Sequence, residues 1–211
     1  LIKIVEIQVF NFEGALRGMR NPLASWDQSD SYWLYDSEIG DNDEFIAGDN
    51  NLALALKLIK AGSDHSKFMR QILVSMDITA PLYWWKELDT YKIGTVANST
   101  STMHTIHKTA ITPELFSVEK LDEKNYFHFD DYCCYLEEIR QDFLETKDKD
   151  VWMQLIQMLP SSFNQTRTVT LNYAVLSNIY HSRRFHKLGE WRKFCGVIKD
   201  LPYSQLITVE N

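Results

Sequence analysis

With 211 residues, 45% hydrophobic and 13% aromatic, the chain is long enough to bury a core and too apolar to be disordered. Its formal net charge of −7 repels a long polyanion, which excludes an extended nucleic-acid track but leaves room for a mononucleotide held by a few placed cations. No apolar run approaches the roughly 20 residues of a membrane span, and the opening LIKIVEIQVF lacks a cleavage pattern, so the expectation is one cytoplasmic domain over residues 1–211 without membrane contact.

Residues 1 to 10 alternate, with Val5, Ile7 and Val9 against Ile4, Glu6 and Gln8, which predicts a half-buried strand. The following NFEGALRGMRNPLASWDQSDS is punctuated by Gly14, Gly18 and Pro22 and is expected to be irregular or briefly helical. On a helical turn Arg17 and Arg20 share a face and can grip a phosphate or carboxylate; in a plain loop they are two solvated cations. Residues 37 to 51, with Asp36 just before them, read as a solvated acidic loop whose spacing does not match a calcium site. NNLALALKLIKAG reads as a helix capped by Asn50 or Asn51 and ended by Gly62.

The stretch from Asp64 to His107 is the most informative. His65 and Ser66 follow a helix end, where an imidazole can meet a ligand or be merely structural. Ile72, Val74, Met76 and Ile78 alternate with Leu73, Ser75, Asp77 and Thr79 as a second strand. Thr79 is expected to cap, and Pro81 to open, a helix through LYWWKELDTYK. Tyr83, Trp84 and Trp85 cannot share one helical face, so at least one is expected to point away from the local core, towards a subunit or a flat ligand. After Gly94, TVANSTSTMH is expected to form a polar loop suited to hydrogen bonding a base and a phosphate, or simply to turning. His104 and His107 lack the further ligands of a zinc site.

Residues 109 to 129 read as a short helix and a loop of mixed charge. Tyr132, Tyr135, Leu136, Ile139 and Phe143 then predict an amphipathic helix from Asp131 to Lys147, with another from Asp150 to Met158. Thr166, Thr168 and Thr170 alternate in a strand ending at Asn172, which can cap the next helix, and Gly189 and Trp191 restart a final one to about Ile198. Cys133 and Cys134 are neighbours poorly placed to bridge each other and Cys195 is left over, so free, buried thiols are expected. No serine triad, phosphate-cradling glycine loop or paired-acid signature is present.

This order of elements resembles the flavin-dependent thymidylate synthases, in which a strand leads through a helix into an Arg-His-Arg signature followed, after seven residues, by a Ser. Thr90, Tyr91 and Lys92 stand in the place of Arg-His-Arg, and Thr100, flanked by Ser99 and Ser101, in that of the Ser. Asp64-His65-Ser66 is placed like the family's Gly-His-x-Ser, and Leu159-Pro160 followed by Asn172, Leu176 and Arg183 like its closing pattern. The match runs over about residues 50 to 195. It departs where only Lys92 keeps a signature charge, where Met103 and His104 stand near an Arg-Tyr, and where Ala174 replaces an Arg. Each lost guanidinium removes charge-assisted hydrogen bonds of about 1.5–3 kcal/mol.

The resemblance implies an α/β (α+β) fold, a mixed or antiparallel sheet flanked by helices, assembled as a homotetramer. It implies reductive methylation of dUMP or a related pyrimidine deoxynucleotide, with FAD as cofactor and methylenetetrahydrofolate and NADPH as co-substrates. Ser99, Thr100 and Ser101 would be catalytic, and His65, Ser66, Tyr91, Lys92 and Asn172 would hold the cofactor. Arg17, Arg20, Glu87, Asn98, Arg167 and Arg183 would hold the substrate. The alternatives are a non-catalytic nucleotide-binding module on the same fold and a structural or interaction protein.

Overall fold

The computed structural model describes residues 2–35 and 43–210, so residues 36–42 of the expected acidic loop lie outside the described residues, while within its remainder Glu44–Ile46 form a strand and Asp49 opens a helix. Four strands form one sheet in the order β1-β4-β6-β5, where β1 is Lys3–Phe10, β4 Leu73–Pro81, β5 Val96–Ser99 and β6 Asn164–Asn172. A separate antiparallel ribbon joins β2 (Tyr32–Leu34) to β3 (Glu44–Ile46), with Trp33 opposite Phe45. Strands β4 and β6 run antiparallel: Thr79 meets Thr166, Asp77 meets Thr168, and the Tyr173 N–H donates to the Ile72 carbonyl. The expected α/β class, antiparallel sheets flanked by helices, is the fold observed.

Two compact units divide the chain. The first contains the chain up to Val5, Asp77–Lys92 and Ala97–Val169; the second contains Glu6–Met76, Ile93–Val96 and Thr170–Asn211.

In the first unit, α3 is Leu82–Leu88, α4 Thr102–Thr105, α5 Glu123–Thr146 and α6 Lys149–Met158. Helices α5 and α6 pack around Phe116, Cys133, Leu136, Ile139 and Leu155. The Tyr132 hydroxyl ties them by donating to the Met158 carbonyl at 2.5 Å. Asp122 caps α5 by accepting from Asn125 N–H at 2.8 Å, so the helix starts eight residues before the position that its apolar stripe predicts. Its first two turns are mostly exposed, Tyr126 and Phe127 included, and only Phe129 is half-buried, so no inward apolar stripe marks them in a periodicity reading. Trp84 and Trp85 are both buried, because α3 turns its second and third aromatics inward and leaves only Tyr83 half-buried.

The second unit holds α1 (Phe12–Met19), α2 (Asp49–Lys60), α7 (Tyr173–Arg183), α8 (Gly189–Lys199) and α9 (Gln205–Thr208). Tyr173 anchors it: fully buried, it meets Phe12 edge-on at 5.5 Å, and its hydroxyl donates to the Pro202 carbonyl. Burial pushes that phenol well above its usual range.

Several local expectations are corrected. Strand β1 is mostly exposed on both faces: it lies at the sheet edge, and the left-handed φ of 53° at Glu6 breaks the alternation. Neither Asn50 nor Asn51 caps α2; Asp30 does so from outside the helix, accepting from Asn50 N–H at 2.7 Å and Asn51 N–H at 3.1 Å. Thr79 is a strand residue whose hydroxyl bonds Thr166 at 2.7 Å, and Pro81 takes the cap position of α3. The polar stretch after Gly94 is a short strand and one helical turn rather than a loop. Cys133 and Cys195 are buried free thiols, each pushed up to about 11 by burial, whereas Cys134 is exposed. No helix among the described residues is long and apolar enough to cross a membrane.

Candidate functional site

In the first unit, the end of α3 and the start of β6 build a ledge that carries Arg167. Trp85 is fixed by its Nε1, which donates to the Gln165 carbonyl at 2.9 Å. The Arg167 guanidinium lies 4.3 Å above that indole, its Nη1 donates to Asp89 Oδ1 at 2.9 Å, and its Nε donates to Gln165 Oε1 at 3.0 Å. Stack, ion pair and amide leave Arg167 little rotamer freedom.

Thr100 is tied to the same strand. Its N–H and hydroxyl both donate to the Thr166 carbonyl, at 2.9 and 3.2 Å, and its carbonyl accepts from Gln165 Nε2 at 2.9 Å. Asn98 and Ser99 lie exposed on β5, and Ser101 precedes the turn of α4, its carbonyl accepting from Thr105 at 2.8 Å. Glu87 is half-buried in α3, and its carbonyl accepts from Thr90 at 2.7 Å. Tyr91 is half-buried and Lys92 exposed. The structure thus brings Thr100, just past the end of β5, beside the β6 segment that carries Arg167, with Ser99 and Ser101 flanking Thr100 in sequence.

In the second unit, Arg17 is exposed while Arg20 is buried, its Nε donating to Asn51 Oδ1 at 2.6 Å. Asn51 in turn donates to the hydroxyls of Ser29 and Ser31, at 2.8 and 2.6 Å. The two arginines therefore do not present one solvated face. Ser29, Ser31 and Asn51 were not singled out as partners of Arg20 from the sequence; the signal was the cluster of short polar residues after Pro22.

His65 and Ser66 sit in the turn that follows α2, both N–H groups donating to the Gly62 carbonyl at 3.1 Å. His65 is exposed beside a cavity of about 600 Å³ whose walls include Leu54, Leu58, Lys67 and Phe68. Asn172 caps α7 as expected, its Oδ1 accepting from Val175 N–H at 3.0 Å. A Cβ added at Gly94 would lie 2.8 Å from the Asn172 amide nitrogen, so glycine is needed there for close approach as well as for its φ of 79°. Arg183 lies 5.0 Å over Trp191 and meets His186 Nε2 at 3.1 Å.

No family model matches the sequence, and no curated protein matches it either. Solved structures do. Thymidylate synthase X from Helicobacter pylori, crystallised with FAD and dUMP, matches with a TM-score of 0.66 over 98% of this chain and 96% of that one, at 16% identity. A second structure of the flavin-dependent thymidylate synthase from the same organism, complexed with FAD and dUMP, matches with a TM-score of 0.65 over 96% of each chain, at 18% identity. The chain therefore has the fold of thymidylate synthase X along nearly its whole length, at 16% and 18% sequence identity to those two structures.

Proposed function

We propose that this chain is a flavin-dependent thymidylate synthase-like enzyme that binds FAD and a pyrimidine deoxynucleotide and catalyses the reductive methylation of dUMP or a close relative. Methylenetetrahydrofolate would be the carbon donor and NADPH the source of electrons. The observation that carries this reading is the near full-length likeness to structures that hold FAD and dUMP.

The residues of the first unit fit such ligands in kind. Lys92 supplies an exposed cation for a phosphate, and Asn98, Ser99 and Ser101 supply amide and hydroxyl groups for a base or ring edge. Among the described residues the hydroxyls of Ser99 and Ser101 have no hydrogen-bond partner, while that of Thr100 is committed to Thr166. Ser99 and Ser101, rather than Thr100, are then the hydroxyls free to touch a substrate. Bound flavin would supply the hydride; the chain's own part is to orient, to bind anions and to exclude water. On this reading the chain acts as one functional domain within a homo-oligomer, with His65, Ser66 and Asn172 on the cofactor side.

A second reading, a nucleotide-binding module without turnover, is favoured by one observation: Arg167 is already engaged by Asp89, and Thr90 and Tyr91 carry no charge beside Lys92. The test is to purify the protein, record flavin absorbance, and assay dTMP formation from dUMP with folate donor, FAD and NADPH present and with each omitted in turn. Yellow protein with turnover that needs all three supports the enzyme. Colourless protein stabilised by dUMP but inert supports the module. Protein that responds to neither ends both.

A further inference from the structure

Arg20 is 4% exposed, yet among the described residues no carboxylate forms an ion pair with it. Its Nε is taken by Asn51 and its Nη1 by the Ser25 carbonyl at 3.3 Å, while Nη2 has no partner among the described residues. Asp30 is the acid that feels its charge, but both Asp30 oxygens are occupied by N–H groups of α2. A buried guanidinium whose direct partners are neutral is costly, and an anion reaching its open edge offsets that cost.

Arg20 lines a cavity of about 220 Å³, in company with Arg17 and the rings of Trp26, Tyr32, Trp33 and Phe45. Trp26, Tyr32 and Trp33 are 51%, 57% and 39% exposed, so the described residues leave much of their apolar faces uncovered. Ser29 and Ser31 also line it; each hydroxyl accepts from Asn51, and neither donates to any described residue. Two O–H donors, one open guanidinium edge and a second arginine thus stand among aromatic walls.

We propose that this cavity binds a small planar aromatic carboxylate. The fork of a guanidinium matches a carboxylate in shape, and the rings match a flat apolar body. The volume lies below the roughly 300–1,000 Å³ of drug-sized sites, which limits the ligand to about a dozen heavy atoms. Glu13 also lines the cavity, its Oε2 accepting from Trp33 Nε1 at 3.2 Å, and its charge disfavours a dianion such as phosphate. The site lies wholly within the second unit and does not depend on the thymidylate synthase-like reading.

The test titrates the full chain with benzoate, benzamide and inorganic phosphate, by calorimetry and by fluorescence of the wall tryptophans. Benzoate is expected to quench the emission and to bind at least about tenfold more tightly than its neutral amide, with phosphate failing to compete. Arg20→Lys, which keeps the charge and loses the fork, should weaken benzoate at least about tenfold. Arg17→Gln alters only an exposed side chain, so it tests the site even if the Arg20 variant does not fold, and it should weaken benzoate several-fold. No benzoate binding, equal affinity for the amide, or indifference to Arg17→Gln would overturn the proposal. No nucleotide or flavin is used, so the outcome is independent of whether the chain is a thymidylate synthase.

Discussion

Arg167 lies 4.3 Å above Trp85 and gives its Nη1 to Asp89 at 2.9 Å. Asp89 keeps 58% of its side chain in solvent, against 17% for the arginine, so the carboxylate is the movable partner. On the proposed reading, a ligand phosphate that reaches Arg167 would have to displace that carboxylate. Asp89→Asn is therefore expected to tighten dUMP binding about tenfold, or ~1.4 kcal/mol. Stability should change by less than about 1 kcal/mol, because an exposed pair contributes little. Calorimetric titration of the variant with dUMP checks this, and unchanged or weaker binding would remove Arg167 from the proposed site.

Lys92 is the cation left in the three positions that resemble Arg-His-Arg. Lys92→Ala should weaken dUMP at least about tenfold, the loss of one charge-assisted contact of ~1.5 kcal/mol or more. Lys120→Ala, at another exposed lysine, should leave it unchanged. Equal effects in the two variants would mean that bulk charge alone attracts the nucleotide.

Gly94→Ala is expected to destabilise the fold by about 2 kcal/mol, because its φ is 79° and the new methyl would meet the Asn172 amide at 2.8 Å. Gly62→Ala is the control. That glycine also has a positive φ, 108°, but nothing within 4 Å, so only the backbone strain of about 1 kcal/mol should appear. Urea midpoints of the two variants separate strain from collision.

Glu137 is held down to about 2 by the Arg140 guanidinium, with the Ile111 N–H and Gln141 adding to the effect. Its folded pKa lies below the ordinary 4.5, so its contribution is complete above that value and is lost as pH falls towards about 2. Wild-type stability should therefore drop between about pH 4.5 and 2 more steeply than that of Glu137→Gln. At neutral pH the variant should be less stable by about 3 kcal/mol, since Arg140 is left buried without its ion-pair partner. Thermal unfolding across that acid range is the measurement.

The parts of the fold legible in the sequence were those where local and tertiary signals agree. Strand β4 puts Val74, Met76, Ile78 and Ala80 inward, and Asn172 caps α7, because period-2 alternation and a short polar side chain before an apolar stripe have few other outcomes. Two of the failures share a physical origin, which is that the decisive partner lies far away in the chain. Thr79 looks like a cap until Thr166 claims its hydroxyl. The polar run after Gly94 looks like a loop until β6 offers it an edge. At the candidate site the residue types were readable, but that Arg167 stacks on Trp85 and that Arg20 is buried among neutral donors and acceptors were not. Both depend on pairings more than thirty residues apart.

Helix α2 takes its cap from Asp30, not from any residue of its own. Two N–H groups of its first turn are satisfied by that carboxylate only when the segment carrying Ser29, Asp30 and Ser31 is docked, so the docking of that segment and the start of the helix stabilise each other. The same segment supplies two hydroxyls to the Arg20 cavity, and an occupant there would slow amide hydrogen exchange at Asn50 and Asn51 without touching either N–H.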